Sequence, residues 1–274
     1  MRKLTLTSLV LALITLVACG GGELGSQNRN PDPDSPILQL GSKGGFTTPE
    51  INLGRGPTYT LLTGGRLIFE GPVIAIYPGP LLPNYQVVQL SDNQVDEILA
   101  LVEEIGLPDM ESELDDSAAS TVADATTEVL TYWDENGAHQ YSVYGLGIDP
   151  NPSSPATTAM VELVDTLSTS AFSGEPEIYE GDRVRIIAGV AQSAPDPEFE
   201  DVRPWPIEGE DPNQWTELNL GFMCKVFGPE ILDRFADATQ TTRWLHPDPM
   251  MDAPPFELLV RPLHPGEPDC PEAD

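Results

Sequence analysis

Residues 91–106, SDNQVDEILALVEEIG, constrain the fold of this chain more than any other stretch. Ser91 with Gln94 three positions later makes a capping-box pattern. Val95, Ile98, Leu99, Val102 and Ile105 recur at helical spacing, and Gly106 is placed to end the last turn. The spacing predicts one helix with a single apolar face, and such a face needs a sheet to cover. YQVVQL, residues 85–90, reads as a strand that runs directly into it.

The sheet candidates lie on both sides. TYTLLTGGRLIFEGPVIAIYPG places β-branched and aromatic runs, each short enough to be a strand, around the Gly64–Gly65 pair. TEVLTYWDENGAHQYSVYGLG offers two further strands around a tight turn at Asn136–Gly137. A second helix is expected from Ser154, with Pro155 in the first helical position and Met160, Val161, Val164 and Leu167 as its buried stripe. In the last hundred residues, DRVRIIAGVAQ, GFMCKVF, TRWLHP and PFELLVRPL are strand candidates and PEILDRFADATQ a helix candidate. The fold class that follows is α+β, with two antiparallel-sheet modules each covered by a helix. The repeated order strand, helix, strand, strand suggests related β-α-β-β units. With 28 prolines and 24 glycines, short elements and many turns are expected, and the loop APDPEFEDVRPWPIEGEDPNQW is expected at the surface.

The N-terminus, MRKLTLTSLVLALITLVAC, has a basic start at Arg2 and Lys3, an apolar run from Leu4 to Val17 and a small residue, Ala18, before Cys19. That is the layout of a secretory signal, and the run is short for a membrane-spanning helix, which needs about 20 apolar residues. Leu16-Val17-Ala18-Cys19 resembles the lipobox of bacterial lipoproteins. The resemblance implies a signal peptide over 1–18, a lipid on the Cys19 sulfur and cleavage before it. It also implies a bacterial cell-envelope protein held to a membrane by its acyl chains and facing out of the cytoplasm. Residues 19–56 are then expected as a lipidated cysteine and a flexible tether, in which Ile37, Leu38 and Leu40 suit a small docked strand. The first module is expected over 57–173 and the second over 174–274.

Removing the leader with its two basic residues takes the formal net charge from −31 to −33. Such a field disfavours nucleic acid and anionic surfaces and leaves cationic ligands, metal ions or basic partners, although a well-hydrated surface, as in proteins adapted to salt, is the preferred explanation. With Cys19 assigned to lipid, Cys224 and Cys270 remain as a pair, and in an exported chain they are expected to form a disulfide.

Several runs together resemble a family of uncharacterised bacterial lipoproteins: PTYTLLTGGRLIFEGP, IYPGPLLPNYQVVQLSDNQVDEILALVEEIGL, VADATTEVLTYWDENGAHQYSVYGLG and VRPLHPGEPDC. They span most of residues 57–270. The family brings no activity to transfer, and His264 stands where the resemblance leads one to expect an aliphatic residue.

The sequence argues against catalysis more than for it. His139, His246 and His264 are the only histidines, none has zinc-ligand spacing, and neither a G-x-S-x-G elbow nor a glycine-rich phosphate loop is present. His139 is expected as a cross-strand residue of a hairpin. His246 with Asp248 and Asp252 offers a metal set that a polar turn explains as well. The acidic run DMESELDDS lacks the glycine and final glutamate of a calcium loop. No catalytic residue, metal site or cofactor is assigned. Trp205, in the rigid Arg203-Pro204-Trp205-Pro206 stretch, together with His246 and Asp248, are the weak binding candidates; the alternative packs Trp205 over the second module. The expected role is non-enzymatic binding of an envelope protein or small ligand, or a structural role in the envelope. The alternative is an envelope hydrolase or metal-dependent enzyme using acidic residues and a histidine.

Overall fold

The computed structural model describes residues 32–107, 109–110, 112–120, 122–148, 154–191, 197–198 and 201–271. Cys19 and the signal segment lie outside the described residues.

The chain folds as α+β with two mostly antiparallel sheets. The first is built from β1 (Pro36–Gly44), β2 (Tyr59–Leu62), β3 (Arg66–Glu70), β4 (Tyr85–Gln89), β5 (Glu113–Asp115), β6 (Thr126–Asp134), β7 (Gly137–Tyr144) and β8 (Glu177–Ile178). Their lateral order is β5-β7-β6-β1-β2-β3-β4-β8. The short helix α1 (Pro49–Gly54) follows β1, and two longer helices, α2 (Asp92–Ile105) and α3 (Pro155–Ala171), pack on one face. The second sheet contains β9 (Val184–Val190), β10 (Asp201–Arg203), β11 (Thr216–Glu217), β12 (Met223–Phe227), β13 (Thr242–Trp244) and β14 (Phe256–Pro262), in the order β10-β13-β14-β9-β12-β11.

The local signals produce their elements. Ser91 Oγ accepts from Gln94 N–H while Gln94 Oε1 accepts from Ser91 N–H, and Gly106 closes α2 at φ +104°. Ser154 Oγ accepts from Thr157 N–H, and Pro155 opens α3. The turns at Gly64–Gly65 and Asn136–Gly137 join antiparallel neighbours. The buried stripes are turned slightly from the expected ones: Leu101 is buried where Leu99 is half-buried, and Leu163 is buried where Val161 and Val164 are half-buried. The two helices pack against each other as well as on the sheet, which rotates each toward its neighbour.

Two expectations need correction. Residues 36–44 are not tether with a small docked strand: β1 is nine residues long and lies inside the first sheet between β2 and β6, with Leu38 and Leu40 in the core. The folded module therefore begins well before residue 57. The expected helix at 229–240 is a 3-10 segment, Pro229–Arg234, that contacts β9. As to related modules, β5 and a 3-10 turn, Ser117–Ser120, stand between α2 and the β6–β7 pair, whereas the 3-10 segment after β12 is followed directly by β13 and β14. The lateral orders differ: β6, the first strand of its pair, faces the sheet interior in one, and β14, the second, does so in the other.

Strand alternation decides what joins the sheets. Leu61, Leu67, Phe69 and Val88 face the helices, so Thr60, Ile68 and Tyr85 face the other way. On the second sheet Val184, Ile186 and Ala188 enter one core, and Arg185 and Ile187 point away from it. The strap after β14, residues 263–270, passes between these faces. His264 meets Thr60, and the Pro265 carbonyl accepts from Gln39 Nε2 at 2.7 Å. Cys270 is joined to Cys224 of β12 by a disulfide, as expected from the cysteine count.

Candidate functional site

Of the residues singled out from the sequence, Trp205 and His246 meet on Phe256, with His246 at a ring separation of 5.8 Å, and Asp248 bonds to His246, while His139 stands apart in the first sheet. Trp205 is half-buried and packs 5.9 Å from Trp215 and 5.7 Å from Phe256 in the second core. Ile207 and Trp215 of the same loop are buried, so only part of this proline-rich stretch is surface. His246 and Asp248 form a turn: Asp248 N–H donates to His246 Nδ1 at 3.0 Å, and Asp248 Oδ1 accepts from Met250 N–H. His139 sits opposite Tyr132 on β7, with Nε2 3.0 Å from Asp134 Oδ1. Among the described residues no group of three or more His, Cys, Asp or Glu side chains is placed to hold a metal ion.

A buried polar cluster forms where the strap crosses. Arg185 and Arg261 stand directly opposite each other on β9 and β14, an arrangement that repels until an acid intervenes. Glu267 supplies it: its carboxylate takes two hydrogen bonds from Arg261, at 2.6 and 2.9 Å, lies 3.9 Å from Arg185 and accepts from His264 N–H at 2.8 Å. Arg185 also donates to the Pro268 and Asp269 carbonyls. Burial would raise the Glu267 pKa, but the Arg261 guanidinium holds it below the usual carboxylate range. Burial lowers Arg185 to about 10, with Arg261 adding to the effect.

His264 is fully buried. Tyr85 and Tyr179 meet it edge-on at ring separations of 4.7 and 5.5 Å, and Nδ1 lies 2.8 Å from Thr60 Oγ1. Nε2 has no hydrogen-bond partner among the described residues. Burial lowers this imidazole to about 4, so it is neutral at pH 7. Burial likewise pushes Tyr85 up to about 12, against the opposing charge of Arg261. A Cβ at Gly56 would collide with the Tyr85 hydroxyl and the Arg261 guanidinium, so glycine lets the chain pass close over them.

Beside this cluster lies a cleft of about 830 Å³ between the sheets. Its walls are α1 with the turn after it, the β3–β4 connection and the end of β14. The connection, residues 71–84, crosses to the second sheet's side: Leu81 N–H donates to the Ala238 carbonyl, Gln240 N–H donates to the Gly79 carbonyl, and Leu81 and Leu82 pack on the second core. The run VIAIY inside it, expected among the strand-forming runs, is not a strand. Pro72 and Pro78 flank it without amide hydrogens to give a ladder. Val73, Ile74, Ile76 and Tyr77 are 57–73% exposed, a contiguous apolar stretch of chain of which Val73 and Ile74 line the cleft. Sequence reading missed this site; the signal was an apolar run bracketed by Gly-Pro and Pro-Gly.

No family model, curated protein or solved structure matches the chain.

Proposed function

We propose that this protein is a membrane-anchored, extracytoplasmic lipoprotein of the bacterial envelope that binds a small ligand, without chemistry, in the cleft between its sheets. The observation that carries the reading is a concave cleft at a sheet-to-sheet junction, lined by aliphatic side chains together with a few polar and charged ones, with exposed aliphatic side chains at its mouth, a setting in which ligand sites form. Its position suits an anchored protein. Asp32 to Ser35 lie against the β2–β3 turn, where the Gly64 and Thr63 amides donate to the Pro33 and Ser35 carbonyls. Glu70 and Tyr85, at the other end of β3 and β4, line the cleft. A chain tethered through Cys19 would then present the cleft on the side away from the tether.

The test is native mass spectrometry of the full chain purified from its membrane, beside the Val73→Asp/Ile74→Asp double variant. These side chains are exposed, so the variant should fold. A small molecule retained by the wild type and lost from the variant is expected; retention by neither, or equally by both, would overturn the reading.

A further inference from the structure

We infer that the strap after β14 is an acid-released clasp on the inner wall of the cleft, a device that goes beyond the reading of the cleft itself and needs no ligand. The strap is fixed at both ends: Leu263 continues β14, and Cys270 is bonded to Cys224 of β12. Between those ends it packs on Tyr85 and Arg261, two residues that also line the cleft and that meet His264 and Glu267 of the strap. Lifting residues 263–269 as a loop uncovers that wall without freeing a chain end.

What holds the loop down is titratable. His264, fully buried, faces Thr60 of β2, Tyr85 of β4, Tyr179 after β8, Arg261 of β14 and Glu267 of the strap itself. Glu267 is shared between Arg261 and Arg185 of β9, while Arg183 is matched by Asp269. Two guanidiniums against one carboxylate leave this buried cluster with one positive charge in excess while the imidazole is neutral. Acid adds a second, either on His264, whose Nε2 has no acceptor among the described residues, or by discharging Glu267. Both changes weaken the hold of the strap on Arg261. Tyr85 and Tyr179 are raised by burial and stay protonated throughout, with Glu70 acting on the first and Asp182, Arg66 and Arg183 on the second. A second tie between the sheets does not titrate: Leu81 and Leu82 pack on the second core, and the bonds from Leu81 to Ala238 and from Gln240 to Gly79 are backbone ones. The sheets stay joined there while the strap lifts.

Burial holds the His264 imidazole at about 4, against 6.5 in water, so the lifted strap takes up the proton first and opening becomes easier as pH falls between those values. Native-state hydrogen exchange on the full chain in dodecylmaltoside, in low urea and corrected for its intrinsic pH dependence, tests this. The Leu263 and Glu267 amides, which donate to the Arg183 and His264 carbonyls, report the strap, and those of Val102 and Leu163 report the helices. The strap is expected to exchange through an opening with a smaller urea dependence than that of the helices, because it exposes less surface. Its opening constant should rise about a hundredfold from pH 7 to pH 4, the ratio set by the two imidazole values. In His264→Leu the rise should fall below about tenfold, and the wild-type profile decides alone if that variant does not fold. One urea dependence shared by strap and helices, a strap opening that ignores pH, or an equal rise in His264→Leu overturns the clasp. None of these outcomes bears on whether the cleft holds a small molecule, which the mass spectrometry test decides.

Discussion

Thr60 and His264, 204 residues apart in sequence, share a buried hydrogen bond of 2.8 Å that ties the first sheet to the strap leaving the second. The histidine is held neutral there, and its partner comes from a strand that every other signal assigns to a different module.

That burial sets a pH dependence. The folded pKa, about 4, lies below the ordinary 6.5, so as pH falls the unfolded chain takes up the proton first. The stability held by neutral His264 is complete above about pH 6.5 and is lost progressively down to about pH 4. The loss amounts to about 3 kcal/mol from this group. Denaturant midpoints between pH 7 and 4 should show this slope in the wild type and a flatter one in His264→Leu; parallel profiles would refute the assignment.

Glu267→Gln should destabilise by about 3–5 kcal/mol, because it strands Arg185 and Arg261 opposite each other in a buried site. Urea unfolding at pH 7 measures this. A change below 1 kcal/mol would mean the strap acid is dispensable.

Replacing both cysteines, Cys224→Ser with Cys270→Ser, removes a bridge spanning 46 residues and should cost about 2–4 kcal/mol. The strap should also become a site of early proteolysis. Resistance equal to that of the wild type would show that Arg185, Arg261 and Arg183, which donates to the Asp269 carboxylate and the Glu267 carbonyl, hold it alone.

Labelled palmitate should enter the wild-type protein in cells and not the Cys19→Ala variant. Equal incorporation, or none in either, would remove the anchor from the proposed function.

Much of the first sheet was legible in advance, because its signals are local. Ser91 and Gln94 cap one helix, Ser154 and Pro155 open the other, and Gly137 accepts a turn at φ +126°. β1 was harder to read, since Pro36–Gly44 carries the glycines and serines of a linker and becomes an inner strand only through partners near residues 60 and 130. The helix expected after Pro229 also failed on non-local grounds. Phe235 is fully buried and Ala238 nearly so, and the Ala238 carbonyl is taken by Leu81 of the distant connection.

The candidate site was not legible at all. Trp205, His246 and Asp248 attract notice by residue type, yet they serve a core and a turn. Glu50, Glu70, Arg261 and VIAIY are unremarkable where they stand in the chain and meet only across the junction.

By itself, then, the sequence determined the class, the main helices and turns, and the pairing of Cys224 with Cys270, because caps, periodicity and cysteine parity act over short range or by counting. Tertiary structure alone decided that His264 would be a buried neutral contact, that Glu267 would sit between two facing arginines, and that a cleft would open beside them. Those outcomes depend on which face of one sheet meets which face of the other, and alternation along a strand says nothing about the partner until the strands have paired.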